Sequence, residues 1–354
     1  MRIEQIRQRL ASLGANTGHT AHVLRRWAQA RPQDSGRRRL EHYLPQALRA
    51  ALPGLVDELA ALARLRSEHP AVDGSARLLV GLADGQTVES VLLPRGGLCV
   101  STQVGCAVGC VFCMTGRDGL ARQLGSAEIV AQVALARTLR PVKKVVLMGM
   151  GEPAHNLDNV MDAIELLGHE GAIGHKNIVF STVGDERVFE RLLSQAAGAV
   201  KPALALSLHT TKAALRAELL PRAPRITPAE LVARAELYAR ATGYPIQYQW
   251  TLMDGINDGD DEIDGIATLL GGKYAIMNMI PYNTVDGLDF RRPVAARAAA
   301  IAQALNRRGV LTTLRQSAGQ DVEAGCGQLR ARGLTGPARR IPIVSVQTGA
   351  VAAS

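Results

Sequence analysis

The stretch Gly97-Leu-Cys-Val-Ser-Thr-Gln-Val-Gly-Cys-Ala-Val-Gly-Cys-Val-Phe-Cys-Met-Thr-Gly116 places Cys106, Cys110 and Cys113 in a CxxxCxxC array directly after an apolar run. Three thiolates so spaced can hold three irons of a four-iron cluster and leave the fourth iron without a protein ligand. An open coordination position distinguishes a reactive metal centre from a closed structural one. Three thiols of a zinc site awaiting a fourth ligand, or three small core residues, would carry the same letters. Structural zinc, however, usually takes its cysteine pairs from two separate loops.

Beyond this loop, short apolar runs alternate with helical stretches. Strands are expected over Leu98–Val104, Lys144–Met148, Ile178–Thr182, Ala203–Leu208, Ile246–Leu252 and Ala275–Ile280, with a seventh candidate at Val310–Arg315. Helical periodicity covers Ala127–Leu139, Leu157–Leu167 and Pro228–Ala241. Such alternation predicts a parallel sheet, in which ligands gather at the carboxyl ends of the strands. The polar residues fall in that layer. The cysteines follow the first strand and Gly149-Met-Gly-Glu-Pro153 the second, Ser181 ends the third, Ser207-Leu-His209 ends the fourth, and Asn283 follows the sixth.

Toward the amino terminus, apolar residues recur at helical spacing through Ile3, Ile6 and Leu10, then Val23, Leu24 and Trp27, then Leu55, Leu59, Leu62 and Leu65. Residues 1 to about 70 therefore read as helices, punctuated by Pro45, Pro53 and Gly54. Apolar alternation on either side of Ala83-Asp-Gly-Gln86 predicts a β-hairpin over Ala76–Pro94. It carries Glu89, which by itself reads as a solvated hairpin residue.

The 354 residues, 47% hydrophobic and 21% charged, suffice for a large α/β domain with a smaller accessory one. No apolar run reaches the roughly 18 residues of a membrane span, and Met1–Leu10 lacks the apolar core of a secretory signal. A cytoplasmic protein without membrane partners is expected. The net charge is +9 and the pI about 9.7, which suits a polyanionic partner and equally a solvated basic surface. Residues 1–75 hold twelve Arg against seven Asp and Glu, including Arg37-Arg38-Arg39, and the tail after Cys326 holds Arg330, Arg332, Arg339 and Arg340 without an acid. The two ends would flank a nucleic-acid path. The small-residue tail Thr348–Ser354 is expected to be disordered. Five cysteines, an odd number, argue against a disulfide framework. Cys99 and Cys326 remain outside the CxxxCxxC loop, where each also fits an ordinary buried or loop thiol.

With these motifs assembled, the chain resembles the RlmN/Cfr family of radical S-adenosylmethionine RNA adenosine methyltransferases. The likeness runs from about Glu89 to about Leu329, through CVSTQVGC with CxxxCxxC, then GMGEP, FSTVG, LSLH, IPYN and RQSAGQDVEAGCGQL around Cys326. Thr284 stands where the family commonly has proline, and the amino-terminal part and the tail match poorly. The resemblance implies an α/β fold with a partial (β/α)6 barrel over 96–320. A helical accessory unit at 1–75 that binds RNA and a linking β-hairpin at 76–95 would precede it, and a segment at 321–354 with the methyl-carrying cysteine and basic tail would follow. It implies a [4Fe-4S] cluster on Cys106, Cys110 and Cys113, and S-adenosylmethionine contacts at Gly151, Glu152, Ser181, Ser207, Leu208, His209 and Asn283.

The resemblance also implies a route to the poorly nucleophilic C2 and C8 carbons of adenine. One S-adenosylmethionine methylates Cys326, and a second is cleaved to a radical that takes a hydrogen from that methyl, so two are used per turnover. The carbon radical joins the ring, Glu89 accepts the ring proton, and Cys99 resolves the adduct by thiol attack, leaving a transient disulfide with Cys326. The implied substrate is 23S ribosomal RNA modified at C2, with transfer RNA as a second substrate and C8 as the alternative position. A monomer reduced by a flavodoxin or ferredoxin is expected. Two other classes share part of the pattern: a radical enzyme acting on another macromolecule, and a non-enzymatic iron–sulfur or zinc RNA-binding protein.

Overall fold

The computed structural model describes residues 1–35, 39–285 and 287–331. Arg37, Arg38, Arg332, Arg339, Arg340 and the tail at 348–354 lie outside the described residues. No described helix is long and apolar enough to cross a membrane.

Seven parallel strands form the greater part of one sheet: β4 (Gly97–Cys99), β7 (Lys144–Leu147), β8 (Ile178–Thr182), β9 (Ala203–Ser207), β10 (Ile246–Leu252), β11 (Ala275–Pro281) and β12 (Thr312–Leu314), neighbours in that order. Helices α5 (Ser126–Leu139), α6 (Leu157–His169), α7 (Glu186–Leu193), α8 (Ala213–Leu219), α9 (Pro228–Thr242), α10 (Asp260–Leu270) and α11 (Ala295–Arg307) supply the crossovers. This is the expected six-fold β/α repeat of a partial barrel, with the seventh strand at its edge. Local chemistry explains individual boundaries. Thr227 caps α9 with Glu230 in a reciprocal capping box, Pro228 opens it, and left-handed Gly243 ends it.

Two expectations about the amino-terminal third need correction. The expected helix does not run through Leu65: α4 (Gln46–Ala61) stops, and Arg64–Pro70 is β1, antiparallel to β2 (Ala76–Gly81). The 1–75 unit is therefore not wholly helical; its helices end before β1. Pro53 does not break α4 either. It sits inside, and Leu48, Leu52, Leu55 and Leu59 bury one face, enough apolar burial to offset the lost hydrogen bond. The second correction concerns the hairpin of β2 and β3 (Thr87–Leu93), which is more than a linker: β3 pairs antiparallel with β4, so β1–β2–β3 extends the barrel sheet to ten strands.

The strand expected over Leu98–Val104 is also divided. After Cys99 the backbone leaves the sheet, Val100 N–H donating to Val146 O and Thr102 N–H to Met150 O. It then re-forms as β5 (Gln103–Gly105), paired with β6 (Leu120–Gln123) in a separate ribbon. That ribbon brackets the cysteine loop. The helices α1 (Ile3–Ser12), α2 (Thr17–Ala28) and α4 pack on the outside of the barrel. Arg137 of α5 donates to Ala28 O at 2.6 Å, and Arg25 pairs with Glu170 at 2.8 Å.

Candidate functional site

Two motifs brace one another at the carboxyl end of β4 and β7. Gly149 N–H donates to Val100 O, and a Cβ at Gly149 would lie 2.6 Å from that oxygen. Gly151 has φ +110°, and a Cβ there would stand 2.7 Å from Gln103 Cβ and 2.8 Å from Thr102 Oγ1. Gly151→Ala is expected to destabilise the fold by about 2 kcal/mol or more through backbone strain and overlap. A urea titration in which the midpoint does not move would refute this.

The cysteine loop hangs from the ribbon, with Cys106 N–H donating to Gly119 O at 3.0 Å. Cys106 is buried, Cys110 and Cys113 partly so. Burial is the main cause that pushes all three thiols up, Cys106 to about 12, and each is close enough to a second cysteine or to a local N–H for that group to act on it too. The N–H groups of Val108 and Gly109 oppose the shift at Cys106, and Thr115 and Gly116 oppose it at Cys113. Among the described residues, no three His, Cys, Asp or Glu side chains converge as a ready-made ion site. The donor set nevertheless fits a cluster: three soft thiols on one short loop, in a low-dielectric setting, with N–H donors aimed at sulfur.

The register of β3 on β4 sets Val91 opposite Cys99, so Glu89 and Cys99 share the face turned into the barrel. Glu89 is 1% exposed, which overturns the solvated hairpin reading. Its Oε1 accepts from Arg77 Nη1 at 2.8 Å, and its Oε2 from the backbone N–H of Arg330, also at 2.8 Å. Cys326, four residues before Arg330, keeps solvent access. Its thiol is nonetheless enclosed enough for desolvation to raise its pKa, against Ser317 and the Arg315 charge, which lower it; Cys113 adds to the rise. Cys99 is pushed up to about 12, first by burial and then by the neighbouring Cys326 thiol, with the Met148 N–H opposing. The fold thus assembles Cys99, Cys326 and Glu89 beside the cluster loop, and the cysteines are free. Further contacts fasten the Cys326 segment to that loop. Met114 N–H donates to Gly327 O at 2.7 Å, Thr115 Oγ1 to Leu329 O at 2.6 Å, and Asn283 Nδ2 to Cys326 O at 3.0 Å.

The remaining expected residues ring the same strand ends. Glu152 is buried, and its carboxylate accepts from the N–H groups of Ala154 and Val183, each at 3.0 Å. Burial raises its pKa to about 7 despite these donors and Thr182. Ser181 and Ser207 are half-buried at the ends of β8 and β9. Leu208 lies in the apolar core, and its N–H is taken by Gln249 O. Asn283 keeps Oδ1 buried without a partner, an acceptor left for a ligand.

His209 adopts φ +63°, accepts at Nδ1 from Thr251 N–H at 2.9 Å, and meets Phe112 of the cluster loop edge-on at 4.9 Å. The ring is therefore neutral with its proton on Nε2, and burial lowers its pKa to about 3, Arg216 adding to the effect. Below about pH 6.5 the unfolded histidine binds a proton that the folded one refuses until about 3, so folding stability falls on acidification through that window. Glu152 acts oppositely: between its ordinary 4.5 and about 7 the folded carboxyl keeps a proton the unfolded one has lost, so its contribution falls as pH rises. Asparagine tolerates the left-handed backbone. His209→Asn apoprotein is therefore expected to lose about 2 kcal/mol less than the parent between pH 6.5 and 5. Parallel urea midpoints of the two proteins across that range would contradict the assignment.

Residues 100–269 match the family model described as the Radical SAM superfamily. A protein of Methylibium petroleiphilum named "Probable RNA methyltransferase" is 74% identical over 351 residues, 99% of this chain and 98% of its own. This chain belongs to the RlmN/Cfr family. Another relative named a "Probable RNA methyltransferase", from Pseudomonas aeruginosa, is 63% identical over 345 residues, 97% of this chain and 99% of its own. The crystal structure of a radical SAM methyltransferase from Sphaerobacter thermophilus aligns with a TM-score of 0.79 at 33% identity, over 94% of this chain and 98% of that one. Membership in this family makes the protein a radical S-adenosylmethionine methyltransferase, and it implies a four-iron cluster and S-adenosylmethionine as cofactors.

Reading the residues in order does not reveal Arg77 or Arg216. Alternation along β2 could have put Arg77 on the Glu89 face, since it pairs with Val91. Arg216 has no local signal; only packing shows it buried among the family's motifs. Enclosed volume alone would mislead as well. A cavity of about 820 Å³ lies between the amino-terminal helices and α5, lined by Trp27, Leu52 and Leu135 among others, and shares no residue with the cysteine site.

Proposed function

We propose that this protein methylates C2 of an adenosine in 23S ribosomal RNA, with transfer RNA as a second substrate, through a methyl group carried on Cys326. The observation that supports the reading most is the meeting of Cys326 with Cys99, two thiols 227 positions apart, beside Glu89 and the loop of Cys106, Cys110 and Cys113. A radical enzyme acting on another protein would have no use for that pair. The names of the relatives support RNA as the substrate, and the net charge of +9 suits it.

Cys106, Cys110 and Cys113 would hold the cluster, while Gly151, Glu152, Ser181, Ser207, Leu208, His209 and Asn283 would surround S-adenosylmethionine. When bound, these groups supply an electron, a methyl group and a hydrogen-abstracting radical. Cys326, which keeps solvent access, accepts the methyl at sulfur. Once the methyl carbon has joined the ring, Glu89 takes the ring proton at the carboxylate that Arg77 orients. Cys99 then attacks the Cys326 sulfur, the carbon–sulfur bond breaks, the freed carbon takes a proton to become the methyl group, and a disulfide remains; the one electron released in the sequence would return to the cluster. Burial first, and the neighbouring Cys326 thiol second, keep Cys99 protonated until it reacts.

Anaerobic reconstitution with iron, sulfide, dithionite, S-adenosylmethionine and a 23S ribosomal RNA fragment tests this directly. The expected products are 5′-deoxyadenosine together with 2-methyladenosine in the nuclease digest. Methylation at C8 would overturn the position, and 5′-deoxyadenosine without methylated RNA would overturn the substrate.

A further inference from the structure

Arg216 projects from α8 and is 4% exposed. Its Nη2 donates to the carbonyls of Val183 and Ser207, while its Nε is buried without a partner. Among the described residues no carboxylate forms an ion pair with it. A guanidinium withdrawn from water is strongly unfavourable unless an anion compensates it. Two neutral carbonyls do not, and tying the ends of β8 and β9 together would need only a neutral donor. Something anionic belongs beside this side chain.

The surroundings indicate what. The carboxyl end of α8 is joined to the cysteine loop, Val111 N–H donating to Leu219 O at 3.1 Å. Leu219 and Leu220 pack with Cys106, Val108 and Phe112 in one apolar group. The negative groups that act on Arg216 are the Cys110 sulfur and Glu152, and neither is bonded to it. Glu152 already spends both carboxylate oxygens on backbone N–H groups of Ala154 and Val183. The thiolates and whatever they carry are the anion left to balance.

We propose that Arg216 is the buried counter-charge of the cluster held by Cys106, Cys110 and Cys113, a positioning residue that makes the cluster easier to reduce. The proposal rests on the family's cluster occupying that loop. An added electron is stabilised by a fixed cation in a low-dielectric setting, and reduction potentials of such clusters follow net charge and exposure. Removing the charge makes the midpoint potential more negative, so that a given donor reduces a smaller fraction of the enzyme.

The test uses reconstituted holoenzyme without RNA: wild type, Arg216→Gln and Arg216→Lys, each assayed for iron and sulfide and then titrated potentiometrically with detection by electron paramagnetic resonance. Arg216→Gln is expected to hold wild-type iron with a more negative midpoint, and Arg216→Lys to stay close to wild type. Loss of iron from Arg216→Gln alone supports the same role, since a neutral side chain then fails to balance the thiolates. A wild-type midpoint in Arg216→Gln overturns the proposal, even if its affinity for S-adenosylmethionine falls, for that would assign the charge to the ligand's carboxylate. Loss of iron from both variants overturns it in favour of a structural tie. A wild-type protein that takes up no iron would instead refute the cluster assignment itself.

Discussion

Cys99→Ala enzyme, supplied with reductant, S-adenosylmethionine and RNA, is expected to stop after one event with RNA covalently joined to Cys326. Without the resolving thiol the carbon–sulfur bond has no route to cleavage, so multiple turnover is lost while 5′-deoxyadenosine still forms. Cys326→Ala is expected to form neither adduct nor methylated RNA. The geometry makes the contrast sharp: Cys99 is anchored in β4 and 8% exposed, Cys326 lies on an open segment, and no other described cysteine is outside the cluster loop. Denaturing gels with labelled RNA, followed by mass spectrometry of the peptide, read the outcome. An adduct-free Cys99→Ala enzyme that still cleaves S-adenosylmethionine would end the methyl-cysteine scheme, as would an adduct attached at any residue but Cys326.

Glu89→Gln is expected to lower methylated product by roughly 10²–10⁴-fold, the usual contribution of a positioned base, with cleavage of S-adenosylmethionine retained. The same carboxylate also has a structural duty, because Arg77 and the Arg330 N–H converge on it. Removing the carboxylate charge leaves the half-buried Arg77 without this counter-ion, at a cost of about 1–3 kcal/mol. The double variant Glu89→Gln/Arg77→Met separates the two duties: it is expected to recover most of the stability in urea without recovering product formation. Recovery of both in the double variant would show that Glu89 only holds Arg77 and the Arg330 segment in place, and that the ring proton leaves to another base.

The repeating β/α architecture, the cysteine loop, the hairpin and the strand-end residues are legible in the letters alone. These rest on local rules: a period of two or 3.6 in apolar residues, an Asp-Gly turn, and ligand spacing within eight positions. Family resemblance added roles for Glu89, Cys99 and Cys326, none of which periodicity could supply. The remainder depends on contacts distant in sequence. Arg64–Pro70 is a strand because β2 offers it an edge, although Leu62 and Leu65 keep a helical spacing. Glu89 faces Cys99 because β3 pairs with β4 in the register Val91 to Cys99, a shift of one residue reversing the face. Cys326 reaches them through hydrogen bonds from Met114, Thr115 and Asn283 to its segment. Arg216 is the clearest case, since an arginine in a short helix reads as solvated until packing buries it, and burial alone turns its charge into a statement about the site.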